Sequence, residues 1–419
     1  MLKVIEKNIN NILQNSPKMK KIIKRSYQIV MYTLSPKIKS EGDIQRISPD
    51  DGLEYFFGYY DKTPWDATDR YMLALRAKTT YKSVAPDDEP AEIILFDTQD
   101  DNSYRVLGKT NAWNVQQGCM LQWLGPDYKT DIVYNDFRNG NFCSIVLNIM
   151  TNEEKTHPLP IYSVAANGEF ALSLDFTRLH RLGKGYGYSN LDDLTINEKI
   201  PDKPAILKLN LHTSEVTNVL SYKDFFDFEQ RIEMQDADHI LNHIMISPDA
   251  KRFMVLHRWI KNSKLYTRLI TANIDGSQMY NLSDNDMVSH CFWKNNNEIV
   301  AYERKFETGD AYYLMKDKSN EFQKIWHELS TDGHPSFSPS GKKAATDTYP
   351  NRSRVSSLYI INQEGNEQIQ RIARTFSPFR YDNVFRCDLH PRWNRAGNMI
   401  SFDATFEGKR GLYVIKAED

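Results

Sequence analysis

One unit recurs four times along this 419-residue chain at a common offset. His243-Ile244-Met245-Ile246, His290-Cys291-Phe292-Trp293, His334-Pro335-Ser336-Phe337 and His390-Pro391-Arg392-Trp393 each place a histidine three residues ahead of a large apolar side chain. A turn follows, as in Ser338-Pro339-Ser340-Gly341, where proline presets φ and glycine takes the positive-φ place. An apolar-rich strand comes next, such as residues 252–256, 298–302, 343–347 and 399–403. Weaker copies lie upstream, in which Thr63-Pro64-Trp65, Gln122-Trp123 and Tyr162-Ser163-Val164 lead into the apolar runs 71–75, 131–134 and 170–174. Seven units over residues 43–419 give roughly 54 residues each, the spacing of four-stranded blades. No such unit buries both its faces alone, so closure into a ring is the physical solution. The expected fold is all-β, a seven-bladed β-propeller over 43–419, with the strand near residues 412–415 sharing a blade with early chain and a short α-helical N-terminal extension over 1–42.

Composition agrees. Hydrophobic residues at 40% supply a packed core, and aromatics at 12% favour strands while also suiting carbohydrate recognition. A net charge of −2 leaves no nucleic-acid footprint. The four cysteines form no C-x-x-C pair, so neither a disulfide framework nor a zinc knuckle is expected, and a reducing, cytoplasmic setting fits. Residues 1–40 stand apart, with nine basic residues against one acid. Leu2, Ile5, Ile9, Ile12 and Leu13 recur at helical spacing. A second helix is predicted to start at Ser16-Pro17 and end before Pro36. Such a basic amphipathic helix either lies peripherally on an anionic membrane or docks on the main domain or a partner protein.

In a propeller the innermost strands line the channel, so a common offset places His243, His290, His334 and His390 at one height beside the axis. Converging imidazoles make a divalent-metal or anion site; the competing reading is a packing histidine that bonds neighbouring backbone. Asp388 alternates along an extended chain onto the face of His390. The predicted metal set is therefore His243, His290, His334, Asp388 and His390.

These late blades resemble those of the oligogalacturonate lyases, propellers related to the TolB-type repeats. The resemblance implies a manganese-type ion in the channel, with His334 and His390 on ligand positions. Asp388 stands where the family has another histidine, and Phe385 where it has a glutamine. The family's base is an arginine on an earlier blade; around Lys203-Pro204-Ala205-Ile206-Leu207-Lys208 this chain has lysines instead.

The early blades add Phe56-Phe57-Gly58-Tyr59-Tyr60-Asp61-Lys62 and a long glycine-bearing cationic loop carrying Arg178, His180, Arg181 and Lys184. Loops on a rigid ring are where substrates are gripped. The expected catalytic candidates are Lys62, Tyr60, Arg178, His180 and Arg258. Substrate contacts are expected from Tyr59, Arg181, Lys184, Arg392 and Trp393, through guanidinium–carboxylate pairing and stacking on sugar rings. Two function classes stay open. One is a metal-assisted lyase acting on an acidic, uronate-containing oligosaccharide. The other is a non-catalytic carbohydrate-binding or scaffold propeller serving cell-surface polysaccharide assembly.

Overall fold

The computed structural model describes residues 17–36, 38–82, 89–365 and 367–417. Twenty-nine strands form seven antiparallel sheets around one axis. The first blade is β3 (Glu54–Phe56), β4 (Tyr71–Ala77), β5 (Ala91–Asp97) and β6 (Ser103–Thr110). Blades two to five repeat that order as β7–β10, β11–β14, β15–β18 and β19–β22, and blade six holds β23–β26. The last blade has only β27 (Arg392–Trp393), β28 (Met399–Ala404) and β29 (Gly411–Lys416) from the end of the chain. Its outer strand is β2 (Ile44–Arg46), paired as Gln45 opposite Val414, so the ring is locked by early chain. A further short strand, β1 (Ser40–Glu41), extends blade six by pairing with β26 (Gln368–Phe376).

Burial grades outward along each blade, and this is why the repeats read as they do. Second strands lie between two neighbouring blades, and Met72, Leu73, Ala74 and Leu75 of β4 are wholly buried. They therefore appear in sequence as unbroken apolar runs rather than as alternation. The outermost β6 is largely exposed and reads as polar. The turns carry the expected chemistry: Gly341 and Gly397 hold positive φ, and Ala250 occupies the same place in blade four at φ 58°.

Blade one breaks the pattern. After Phe56 the chain leaves the sheet, crosses the channel through Tyr59 and Tyr60, and rejoins at a bridge between Trp65 and Met72. Gly58 permits this detour. Its φ is 127°, and a Cβ there would stand 2.9 Å from the carbonyl oxygen of Gln117, so only glycine fits.

The helix α1 (Pro17–Leu34) has the bounds expected from Ser16-Pro17 and Pro36. The apolar series from Leu2 to Leu13 lies outside the described residues. Two short helices, α2 (Phe176–Leu182) and α3 (Tyr222–Asp227), decorate blade three.

Candidate metal centre in the channel

The residue three places ahead of the apolar anchor is, from blade one to blade seven, Lys62, Met120, Ile161, His243, His290, His334 and His390. The four histidines are neighbours in chain order, with ring centroids 5.5 Å apart for His243–His290, 4.2 Å for His290–His334 and 4.3 Å for His334–His390. His243 and His390 have left-handed backbones, at φ 57° and 49°, but so does Met120 at 57°. That conformation therefore recurs at three of the seven positions and is not tied to a ligand.

What singles out three residues is the state of their free atoms. His334, Asp388 and His390 bring one ligand atom each within 4.8 Å of one another. His334 Nε2, His390 Nε2 and Asp388 Oδ1 are buried and have no hydrogen-bond partner. Orphaned buried polar atoms are costly, so three converging on one point fit a group that supplies them all with positive charge. The far side of each ligand is tied down. His390 Nδ1 lies 2.8 Å from the Gly58 carbonyl, which can only accept, so Nδ1 carries the proton and Nε2 offers a lone pair. His334 Nδ1 lies 2.8 and 3.0 Å from the two oxygens of Asp347, with the same consequence. Arg386 Nε donates to Asp388 Oδ2 at 2.7 Å and leaves Oδ1 to face the histidines. Partners behind metal-binding side chains orient them in this way.

The electrostatics agree. Burial alone would push the His334 imidazolium down and the Asp347 carboxyl up. Their mutual charge and hydrogen bonds outweigh it, so His334 titrates above its ordinary value and Asp347 below. Burial, together with the charges of His334 and Arg392, holds His390 neutral well below the usual histidine range. The cluster thus favours one positive charge at its centre.

The other two predicted ligands stand outside the converging set, although His243 Nδ1 is also buried without a partner. His243 Nε2 is bonded to the Tyr59 hydroxyl. His290 Nδ1 lies 3.0 Å from Asp332, and its Nε2 lies 3.5 Å from the Tyr349 hydroxyl. The five-residue set therefore resolves into three residues whose candidate ligand atoms converge and two neighbours.

Several expected mouth residues lie elsewhere. Arg178 is fully buried in α2, where Asp175 caps the helix. Its guanidinium donates to the carbonyls of His239 (2.7 Å), Glu198 (3.0 Å) and Lys199 (2.9 Å) and to the Thr195 hydroxyl (2.8 Å). It pins the long loop to blade four and is not available to grip a carboxylate. Arg181 pairs with Asp193 at 2.6 Å. The Tyr60 hydroxyl donates to the Cys291 carbonyl at 2.9 Å, so it is a channel plug rather than a base. Lys62 pairs with Asp61 at 2.6 Å. Tyr60, Lys62, Arg392 and Trp393 line a cavity of about 160 Å³ beside Pro339 and Asn394, at the end where first strands turn into second ones. That is the opposite end from the one where the chain enters at His334 and His390. Arg392 spans the Tyr59 carbonyl (3.1 Å) and Asp403 (2.9 Å), so it holds the plug in place. Trp393 donates across to the Ser336 carbonyl of blade six. At the histidine end, His180 and Lys184 line a cavity of about 280 Å³ with Lys82, Trp113 and Phe385. Arg258 lies close enough to His243 that its charge reinforces burial in lowering that imidazole's pKa.

Sequence reasoning missed Asp347, and a signal existed. An acid stands thirteen residues after the histidine in three consecutive blades, as Glu303, Asp347 and Asp403. Arg386, two residues before Asp388 on an extended segment, was legible in the same way.

With the geometry in hand, solved structures offer a comparison. An oligogalacturonate lyase in complex with manganese aligns over 91% of this chain and 97% of its own, at 16% identity and a TM-score of 0.63. An oligogalacturonate lyase from Vibrio parahaemolyticus aligns over the same shares at 14% identity and a TM-score of 0.61. The likeness is one of fold. A TolB from Acinetobacter baumannii aligns over 77% of this chain and 64% of its own, at 13% identity and a TM-score of 0.39. The two oligogalacturonate lyases thus share this chain's fold, as the resemblance in the late blades implied. No protein-family model matches the sequence, and no curated protein matches it either.

Proposed function

We propose that the histidine end of the channel binds an acidic, uronate-containing oligosaccharide and cleaves it by metal-assisted β-elimination. The observation that carries this reading is the set of three orphaned ligand atoms, His334 Nε2, His390 Nε2 and Asp388 Oδ1, each anchored from behind. Two imidazoles and a carboxylate suit a divalent ion of the manganese type, and an aligned neighbour is a manganese complex. Such an ion, when bound, stabilises the enolate-like charge that builds on a uronate carboxylate as its α-proton leaves.

The chain's own residues cover the remaining roles. Tyr59 packs edge-on against His243 and His390, with ring centroids 5.3 and 5.1 Å away. Its hydroxyl is hydrogen-bonded to His243 Nε2, and burial together with the charge of Arg258 holds that imidazole neutral. With an anionic sugar in place to offset that charge, the pair would pass the proton from the cluster into the protein: the phenol oxygen receives it at the sugar and hands its own to His243 Nε2. Lys82, Lys184 and Trp113 line the adjoining cavity with two cations and one flat apolar face, beside His180, which suits an acidic sugar.

One observation favours a second reading, a non-catalytic binding or scaffold propeller. The three ligand atoms are sealed from solvent, so a sugar reaches them only if the mouth loops part. The test is metal analysis of the purified protein together with ultraviolet absorbance of unsaturated uronide products. Lyase chemistry predicts near-stoichiometric metal and turnover that falls at least about 1,000-fold in His334→Ala/His390→Ala, with the fold retained. Metal without turnover on any uronide, with binding retained, moves the protein to the second reading. Turnover that survives the double substitution removes the histidines from the chemistry.

A further inference from the structure

We propose that α1 seats the propeller on an anionic membrane surface, with the histidine end of the channel turned towards the lipid. One face of the helix is docked. Arg25 pairs with Asp382 at 2.6 Å, Tyr32 stacks on Phe376 with centroids 5.1 Å apart, and the Ser35 hydroxyl meets that of Ser353 at 2.6 Å. These partners lie in the connection 348–354 of blade six, at the end of β26 and in the connection from β26 to β27, the face at which the chain enters at His390. Gln28, on the docked side, lines a cavity of about 380 Å³ with Tyr349, Arg354 and Arg386, and Arg386 is the ion-pair partner of Asp388. The helix therefore sits beside the mouth of the candidate centre.

Among the described residues, none covers the opposite face. Met19, Ile22, Ile23, Ile29, Val30 and Leu34 are exposed, Ile22 by 63% and Leu34 by 77%. Their three- and four-residue spacing makes one stripe about 22 Å long at 1.5 Å per residue. Exposed apolar stripes mark interaction surfaces, and charge identifies this partner. The helix sequence contains Lys18, Lys20, Lys21, Lys24 and Arg25 and no acid, in a chain whose net charge is −2. A second copy stacked on the stripe would set cationic helix against cationic helix. Anionic headgroups complement the cations while acyl chains take up the stripe. No helix among the described residues is long and apolar enough to cross a membrane.

The inference stands independently of the lyase reading. Sedimentation with phosphatidylcholine vesicles, with and without phosphatidylglycerol, tests it on the full chain. Binding is expected only with phosphatidylglycerol, weakened by raised salt and at least about tenfold weaker in Ile22→Ser/Ile29→Ser/Val30→Ser. The thermal unfolding of that variant should match the parent, since all three side chains are exposed. Lys20→Gln/Lys21→Gln should weaken binding without touching the stripe. Binding indifferent to phosphatidylglycerol, absence of binding, or a triple variant that sediments like the parent overturns the proposal. So does a parent dimer in analytical ultracentrifugation that the triple variant converts to monomer, because a second copy then covers the stripe.

Discussion

Asn135 in blade two and Asp347 in blade six do the same backbone work with different charge. Asn135 Oδ1 accepts the N–H of Ile161, at the entry of blade three, at 2.7 Å. Asp347 Oδ2 accepts the N–H of His390, at the entry of blade seven, at 3.1 Å. Asp403 repeats the motif on Phe57 at 3.2 Å, where the ring closes onto blade one. Each staples a blade to the next. The early staple is an amide whose nitrogen also donates to the Ile161 carbonyl at 2.7 Å and the Tyr188 hydroxyl at 2.9 Å, a neutral and fully paired arrangement. The late staple is a carboxylate because His334 stands against it. Each charged staple has a cation against it, His334 for Asp347 and Arg392 for Asp403. The early and late halves of the channel thus share a scaffold and differ in electrostatics.

The largest effect should come from moving charge to the wrong half. Asn135→Asp replaces a donor facing the Ile161 carbonyl with a buried carboxylate that has no cation beside it. We expect a loss of about 3–5 kcal/mol in denaturant unfolding at neutral pH, recovered in part as acid neutralises the new group. A loss under about 1 kcal/mol would mean that the early half tolerates charge and that the contrast is accidental.

Acid separates the channel from the body of the same blades. His239, in blade four with His243, is fully buried beside His257 at 2.8 Å and has no carboxylate against it. Burial pushes its pKa down to about 4 from 6.5. Because its folded pKa is depressed, the stability it supports is complete above pH 6.5 and is lost as pH falls towards 4, about 3 kcal/mol in all at about 1.4 per unit. His334 has the opposite sign: raised by Asp347, it favours the folded state below pH 6.5 and loses that contribution as pH rises through its folded value. Unfolding followed from pH 7 to 4 in the parent and in His239→Asn should show a shallower acid loss in the variant. Parallel curves would contradict the neutral assignment.

Asp347→Asn gives the late half the early half's staple. The His390 N–H keeps an acceptor, so the fold should persist, while His334 loses its counter-charge. Affinity for manganese should fall about 10–100-fold, equivalent to about 1.4–2.7 kcal/mol, measured by calorimetry. Unchanged affinity would show that Asp347 serves the backbone alone.

The number of blades, their turns, the start of α1 and the shared offset of four histidines were all legible in the sequence. Each is written in local periodicity: apolar runs, Pro and Gly at turns, and a fixed distance from histidine to strand. Asp388 was found by strand alternation, and Asp347 was legible at the thirteen-residue offset although it was overlooked. Arg178 shows where such reasoning stops. A cationic glycine-bearing loop looks solvent-facing until α2 turns that side chain inward onto carbonyls of residues 195–239, which no local pattern announces. The detour at Gly58 is of the same kind, since it depends on Gln117, on Arg392 and on a ring that closes more than 300 residues later. Local sequence therefore determined that this chain makes blades and brings histidines to one end of a channel. Tertiary structure alone decided which nitrogens stay free there, because a ligand's availability depends on what binds its other side, and those partners come from other blades.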